Sequence, residues 1–224
     1  MATTPFDMSL HEAITTQRAM RRVTAEPIDD ALILKLIEYG TRAPNAGNEQ
    51  RWEFVVVKDA ALRQRLAEQN SFMWKLARGA EYKKEKQFAG RDKTNRAMEW
   101  AVEHFAEYPA MIIACHRGPG VGWPRILVAS TYASIVPAAQ NIMLAARAAN
   151  LAANLTTMPL WNTRKTKRLL GLPRDVTPSL LITLGHPAGR YGTSQRKPVG
   201  DVVSLDRYDN RPWRGRTADE VSSS

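Results

Sequence analysis

One cysteine in 224 residues leaves no partner for an intramolecular disulfide, and four histidines, at 11, 104, 116 and 186, form no pair at the spacing of a metal-binding helix. Cys115 ends an apolar run over 110–115, the setting of a small core side chain. No Gly-x-Ser-x-Gly elbow occurs, which removes the usual signature of a serine hydrolase. Gly118-Pro119-Gly120-Val121-Gly122-Trp123 has tryptophan where a dinucleotide loop carries its last glycine, and Pro119 spoils it further, which argues against a Rossmann dehydrogenase. The first residues lack the charged and apolar blocks of a secretory leader, and no uninterrupted apolar run approaches the roughly 20 residues of a membrane span. A cytoplasmic protein with no membrane partner is expected.

Acidic residues are also scarce: 22 against 32 lysines and arginines, for a net charge of +10. Such a balance raises the local concentration of anions without naming one. The densest basic stretch, 83–96, interleaves Glu85 and Asp92 with its cations, as a solvated helix with its own ion pairs would, so no nucleic-acid partner is expected. The length suits one domain over 1–224, with a lid region at about 71–107 and a C-terminal extension at about 201–224 too poor in apolar residues for a core of its own.

Local patterns supply the elements. Ser9 and Glu12 form a capping box for a first helix, and Asp29 caps a second that stops before Pro44. Trp52–Val57 reads as a buried strand, Asp59 opens another helix, and strands follow at 110–115, Ala152–Thr156 and 179–185, with a helix at 162–170. A long helix through Tyr132, Ile135, Ala139, Ile142 and Ala146 is apolar on most sides, hence buried, and crowded with small residues that suit close packing, including against a second copy. Pro137 should kink it.

Gln17-Arg18-Ala19-Met20-Arg21-Arg22 places three guanidinium groups directly after the first helix. Gln195-Arg196-Lys197-Pro198 answers it late in the chain. Arginine forks make paired, charge-assisted hydrogen bonds to phosphate oxygens, so the two segments read as a phosphate clamp.

Together with Arg42-Ala43-Pro44-Asn45-Ala46-Gly47-Asn48-Glu49-Gln50-Arg51-Trp52, Thr156-Thr157-Met158-Pro159-Leu160 and Arg196-Lys197-Pro198, this segment resembles the nitroreductase-like FMN flavoproteins from about residue 8 to 203. The Thr-Thr-x-Pro-Leu form is closest to the iodotyrosine deiodinase and flavin-destructase branch. Ala19 and Asn45 stand where serine is common, Val23 where an aromatic is common, and Arg51 where proline is expected. The resemblance implies an α+β fold around a mixed, mainly antiparallel sheet flanked by helices. It further implies a homodimer with FMN at the interface. Gln17, Arg18, Ala19, Met20, Arg21 and Arg196 would bind the FMN phosphate end, Pro44, Asn45, Ala46 and Asn48 the ring and ribityl chain, and Thr156, Thr157 and Met158 the flavin N5 edge.

The expected activity is hydride transfer from NADPH or NADH through flavin to an electron-poor acceptor such as a nitroaromatic or quinone, in a ping-pong cycle. No side chain is assigned a catalytic role, since the flavin carries the chemistry. Phe72, Trp74 and Tyr82 are candidates to stack on a flat substrate. Reductive dehalogenation or flavin destruction is the alternative within the family. A basic nucleotide- or nucleic-acid-binding domain without turnover is the alternative outside it.

Overall fold

The computed structural model describes residues 6–81, 92–118 and 124–222. Ser9 accepts a hydrogen bond from the Glu12 N–H at 3.1 Å and so closes the first turn of α1 (Leu10–Thr16). Asp29 does the same for α2 (Asp30–Gly40) through Ala31 N–H. After β1 (Trp52–Val57), Asp59 accepts from Leu62 N–H at 2.8 Å and opens α3 (Ala60–Glu81). α4 (Asp92–Glu103) and a 3₁₀ turn at Phe105–Glu107 lead to β2 (Ala110–Arg117) and the 24-residue α5 (Arg125–Ala148). β3 (Ala152–Thr156), α6 (Thr163–Leu170) with Asn162 as its cap, β4 (Val176–Gly185) and α7 (Ala218–Ser222) complete the order. The lid expectation at 71–107 thus covers the second half of α3, α4 and the 3₁₀ turn. Tyr82 and most of the 83–96 charge run lie outside the described residues.

The strands form one sheet in the order β1-β2-β4-β3, with every pairing antiparallel. No parallel pairing occurs among the described residues, where the resemblance implied a mixed sheet. Antiparallel sheets commonly leave one face wet, yet β2 and β4 are buried on both. Ala110, Ile112 and Ala114 face a core shared with α2 and α5, while Met111, Ile113 and Cys115 face a second core with Leu66, Phe105 and Leu160. That double burial is why these strands read as continuous apolar runs. Helices on both faces leave the strand ends and their loops to build sites.

β4 starts three residues earlier than expected: Pro178, a strand breaker by type, pairs with Cys115 at a register shift, where Leu180 is opposite Ala114 and Ser179 is left over as the bulged residue. α5 runs as one helix through Pro137. By length and composition it is apolar enough to cross a membrane, although Ser130-Thr131, Ser134, Pro137 and Gln140-Asn141 divide it into shorter apolar runs. Its Ile135, Ala138, Ala139, Ile142 and Ala146 are buried in the core on the sheet.

The chain divides into two compact units, Met1–Tyr191 and Gly192–Ser224. Within the second, the Asp201 carboxylate accepts from Gly215 N–H at 2.8 Å, Arg211 donates to the Asp201 carbonyl, and Gly200 packs on the Trp213 backbone with no room for a side chain.

Gly40 explains how closely α2 meets α5: an added Cβ would lie 2.7 Å from Ile142 Cγ1 and 3.2 Å from the Ala138 carbonyl. Gly40→Ala should therefore cost about 1–3 kcal/mol despite its better helix propensity, read as a lower urea midpoint, with partial recovery in Gly40→Ala/Ile142→Val.

Candidate functional site

α1 stops at Gln17, whose backbone turns extended while its N–H still bonds Ala13 O. Arg147, buried on α5, fixes that end: it donates to Thr16 Oγ1 at 2.8 Å, pairs with Glu12 at 3.4 Å and lies 4.1 Å above the Tyr191 ring. The basic segment that follows is an extended strap. Thr24 N–H bonds His186 O, Ala188 N–H bonds Arg22 O, and Val23 bridges Pro187. The approach is close enough that a Cβ on Gly185 would meet Val23 at 2.6 Å. Tyr108, itself buried, donates to Arg21 O at 2.6 Å. Arg21 is thereby held by its backbone, and its guanidinium donates to the Ala19 carbonyl at 3.5 Å.

That side chain borders a cavity of about 280 Å³ lined also by Asn154, Thr156, Thr157 and Met158 from the end of β3, and by Asn70, Trp74, Met98, Val102 and Phe105 from the helical side. No carboxylate lines it among the described residues, and Arg21 has no acidic partner there. Burial lowers the Arg21 pKa, opposed by the neighbouring Tyr108. Arginine stays protonated under such a shift, so the cavity carries a half-buried positive charge with no acidic partner among the described residues. Thr156 Oγ1 accepts from Met158 N–H at 3.4 Å, and Thr157 is exposed.

Other expected residues fall around this cavity or apart from it. Arg18 is exposed and donates to Arg190 O at 2.9 Å, Ala19 is exposed, Met20 is buried, and Gln17 contacts Met143 Sδ. Asn45 and Ala46 line a separate cavity of about 320 Å³ with Arg51, Trp52, His116, Ser130 and Ser134. Ala46 N–H bonds Ser134 Oγ at 3.2 Å, while Pro44 and Asn48 are exposed, the latter at φ 54°. Of the two aromatic candidates among the described residues, Trp74 reaches the first cavity, whereas Phe72 stacks on Trp161, with ring centroids 5.0 Å apart. Arg196, in the second unit, is exposed and donates to Gln195 O.

Sequence reasoning missed Asn154 and Asn70, two buried amides of the first cavity, and the His116–Ser179 hydrogen bond of 2.7 Å beside the second. The asparagine inside the apolar run Ala152–Thr156 was the available signal for Asn154. Ser179 meets His116 at the β4 register shift, which sequence alone does not reveal.

A search against protein-family models matches residues 14–186 to the nitroreductase family, and the chain belongs to that family as an oxidoreductase of nitroreductase type. It is 27% identical over 213 residues to a Methanothermobacter thermautotrophicus protein named an NADH dehydrogenase/NAD(P)H nitroreductase, covering 92% of this chain and 88% of that one. It is 23% identical to the iodotyrosine deiodinase of Daphnia pulex, over 86% of this chain and 64% of the deiodinase. Its fold matches a nitroreductase with bound FMN from Desulfitobacterium hafniense with a TM-score of 0.65 and 18% identity, covering 88% of this chain and 97% of that one.

Burial pushes the Tyr108 hydroxyl up to about 12, with Arg21 opposing. A raised folded-state pKa means that the stability contributed by the neutral phenol is complete below about pH 10 and is lost as pH climbs through about 12. Tyr108→Phe should lose about 1 kcal/mol at neutral pH. It should also show a shallower decline between pH 10 and 12 than the wild type, by up to about 2 kcal/mol in denaturant titrations.

Proposed function

We propose that the protein is an FMN-dependent oxidoreductase that takes a hydride from NADPH or NADH and delivers it to an electron-poor acceptor, such as a nitroaromatic or quinone, in a ping-pong cycle. The observation that carries this reading is the Arg21 charge, without an acidic partner among the described residues, facing a cavity that also holds the Thr156-Thr157-Met158 turn. The donor set fits FMN: the Arg21 guanidinium suits a phosphate or the polar edge of the ring, while Trp74, Met98 and Phe105 suit its apolar portion. When bound, FMN supplies reversible hydride acceptance and donation. Arg18 and Arg21 would hold its negative charge, Thr156 and Thr157 would orient its ring by hydrogen bonds, and the apolar wall would exclude water.

Homodimer formation is supported by α5, whose Ile126 is 75% exposed and whose Leu127, Tyr132 and Val136 are also open. The Asn45 loop is fastened to the same helix through Ser134, so a copy seated on α5 would bring Pro44, Asn45, Ala46 and Asn48 toward a neighbour's flavin. Similarity to the Daphnia enzyme favours reductive dehalogenation as a second reading, tested by halide release from halotyrosines.

Purified protein should be yellow and should bleach on anaerobic addition of NADPH, with the colour restored by a quinone. A colourless protein that gains no thermal stability from added FMN would overturn the proposal. Arg18→Ala and Arg21→Ala should each weaken FMN retention about tenfold or more, whereas Lys35→Gln, at an exposed surface pair, should leave it unchanged.

A further inference from the structure

We infer that the outward face of α6, together with the stacked pair Phe72 and Trp161, holds the adenosine 2′-phosphate end of NADPH and so selects the phosphorylated donor. The inference rests on the hydride-donor reading above and names the donor for it. α6 reads Thr-Arg-Lys-Thr-Lys-Arg-Leu-Leu, four cations and no acid in eight residues. Thr166 is buried and meets Gln69 of α3, which turns Arg164, Lys165 and Arg168 outward. All three are exposed and carry no side-chain hydrogen bond or ion pair among the described residues. Lys167 differs, being spent on Arg174 O at 2.7 Å.

Arg164 and Arg168 are neighbours at i,i+4, where like charges repel and destabilise a helix. A phosphate dianion between them removes that repulsion and accepts paired hydrogen bonds from both forks. The end of the helix is already closed, since Asn162 Oδ1 accepts from Lys165 N–H at 3.0 Å. The site is therefore the side-chain face.

Trp161 directly precedes this helix and is 44% exposed; it stacks on Phe72, 53% exposed, with an interplanar angle of 18°. Two large rings stacked in the open present a flat apolar face of the kind a purine covers. The chain also links this face to the redox cavity. Thr157 and Met158 line that cavity, and a 3₁₀ turn at Met158–Leu160 runs straight into Trp161. At rises of about 2.0 Å per residue in such a turn and 1.5 Å in the helix, Arg164 lies of order 10–15 Å from Thr157. One extended dinucleotide spans such an interval, its nicotinamide at the cavity and its adenosine phosphate on α6.

Calorimetry on the protein as purified separates the sources of phosphate: 2′,5′-ADP should bind about tenfold tighter than 5′-ADP or 5′-AMP. Arg164→Glu/Arg168→Glu should abolish that preference with unchanged thermal unfolding, and Trp161→Ala should weaken all three ligands alike. In steady-state assays the double variant should raise KM for NADPH about tenfold while KM for NADH and both kcat values stay within about twofold. Equal binding of the three nucleotides, an equal rise in KM for both donors, or strongly salt-dependent binding of an oligonucleotide in place of 2′,5′-ADP would overturn the inference. Loss of flavin reduction by either donor alongside a retained preference for 2′,5′-ADP would sink the donor reading and leave the phosphate site standing.

Discussion

The backbone pairing of 22–24 with 186–188 is the constraint on which the candidate site depends. Arginines at the end of a short helix would sample many positions and lose much side-chain freedom on meeting an anion. Here the two ladder bonds of Thr24 and Ala188, the Tyr108 hydroxyl on Arg21 O and the close contact of Val23 with Gly185 settle the backbone beforehand. Arg147 secures the other end by tying Glu12 and Thr16 of α1 to α5. The guanidinium of Arg21 then faces its cavity without having to be ordered by what enters, which is the economy of a preorganised site.

Most of the elements were legible in the sequence because their signals are local. The Ser9 and Asp29 caps, the Trp52–Val57 and Ala152–Thr156 strands, and Asn162 ahead of α6 follow from side chains within a few residues of the backbone groups they satisfy. The start of β4 did not follow, because Pro178 sits beside a bulge at Ser179 that only the pairing with β2 reveals. The hydropathy of α5 was similarly hidden: hydroxyls and amides break its runs while scarcely changing its average.

The site was legible as a set of motifs and not as an arrangement. Arg21, Thr156, Thr157, Met158 and Trp74 do share a cavity, but Asn45 and Ala46 line another, and Phe72 turned to Trp161. Residue spacing along a chain says little about which cavity a side chain borders once helices cover both faces of a sheet. Tyr108 shows the same limit, since its role reaches across 87 positions to a carbonyl that any residue at 21 would supply.

Cys115 has a practical consequence. Its sulfur is fully enclosed in the second core, and desolvation pushes the thiol up to about 12, leaving almost no thiolate at neutral pH. Maleimides and mild oxidants will find little to react with, so a cysteine engineered onto any exposed helix would be the one accessible sulfhydryl, and a spin label or fluorophore could be attached there without first deleting the native residue.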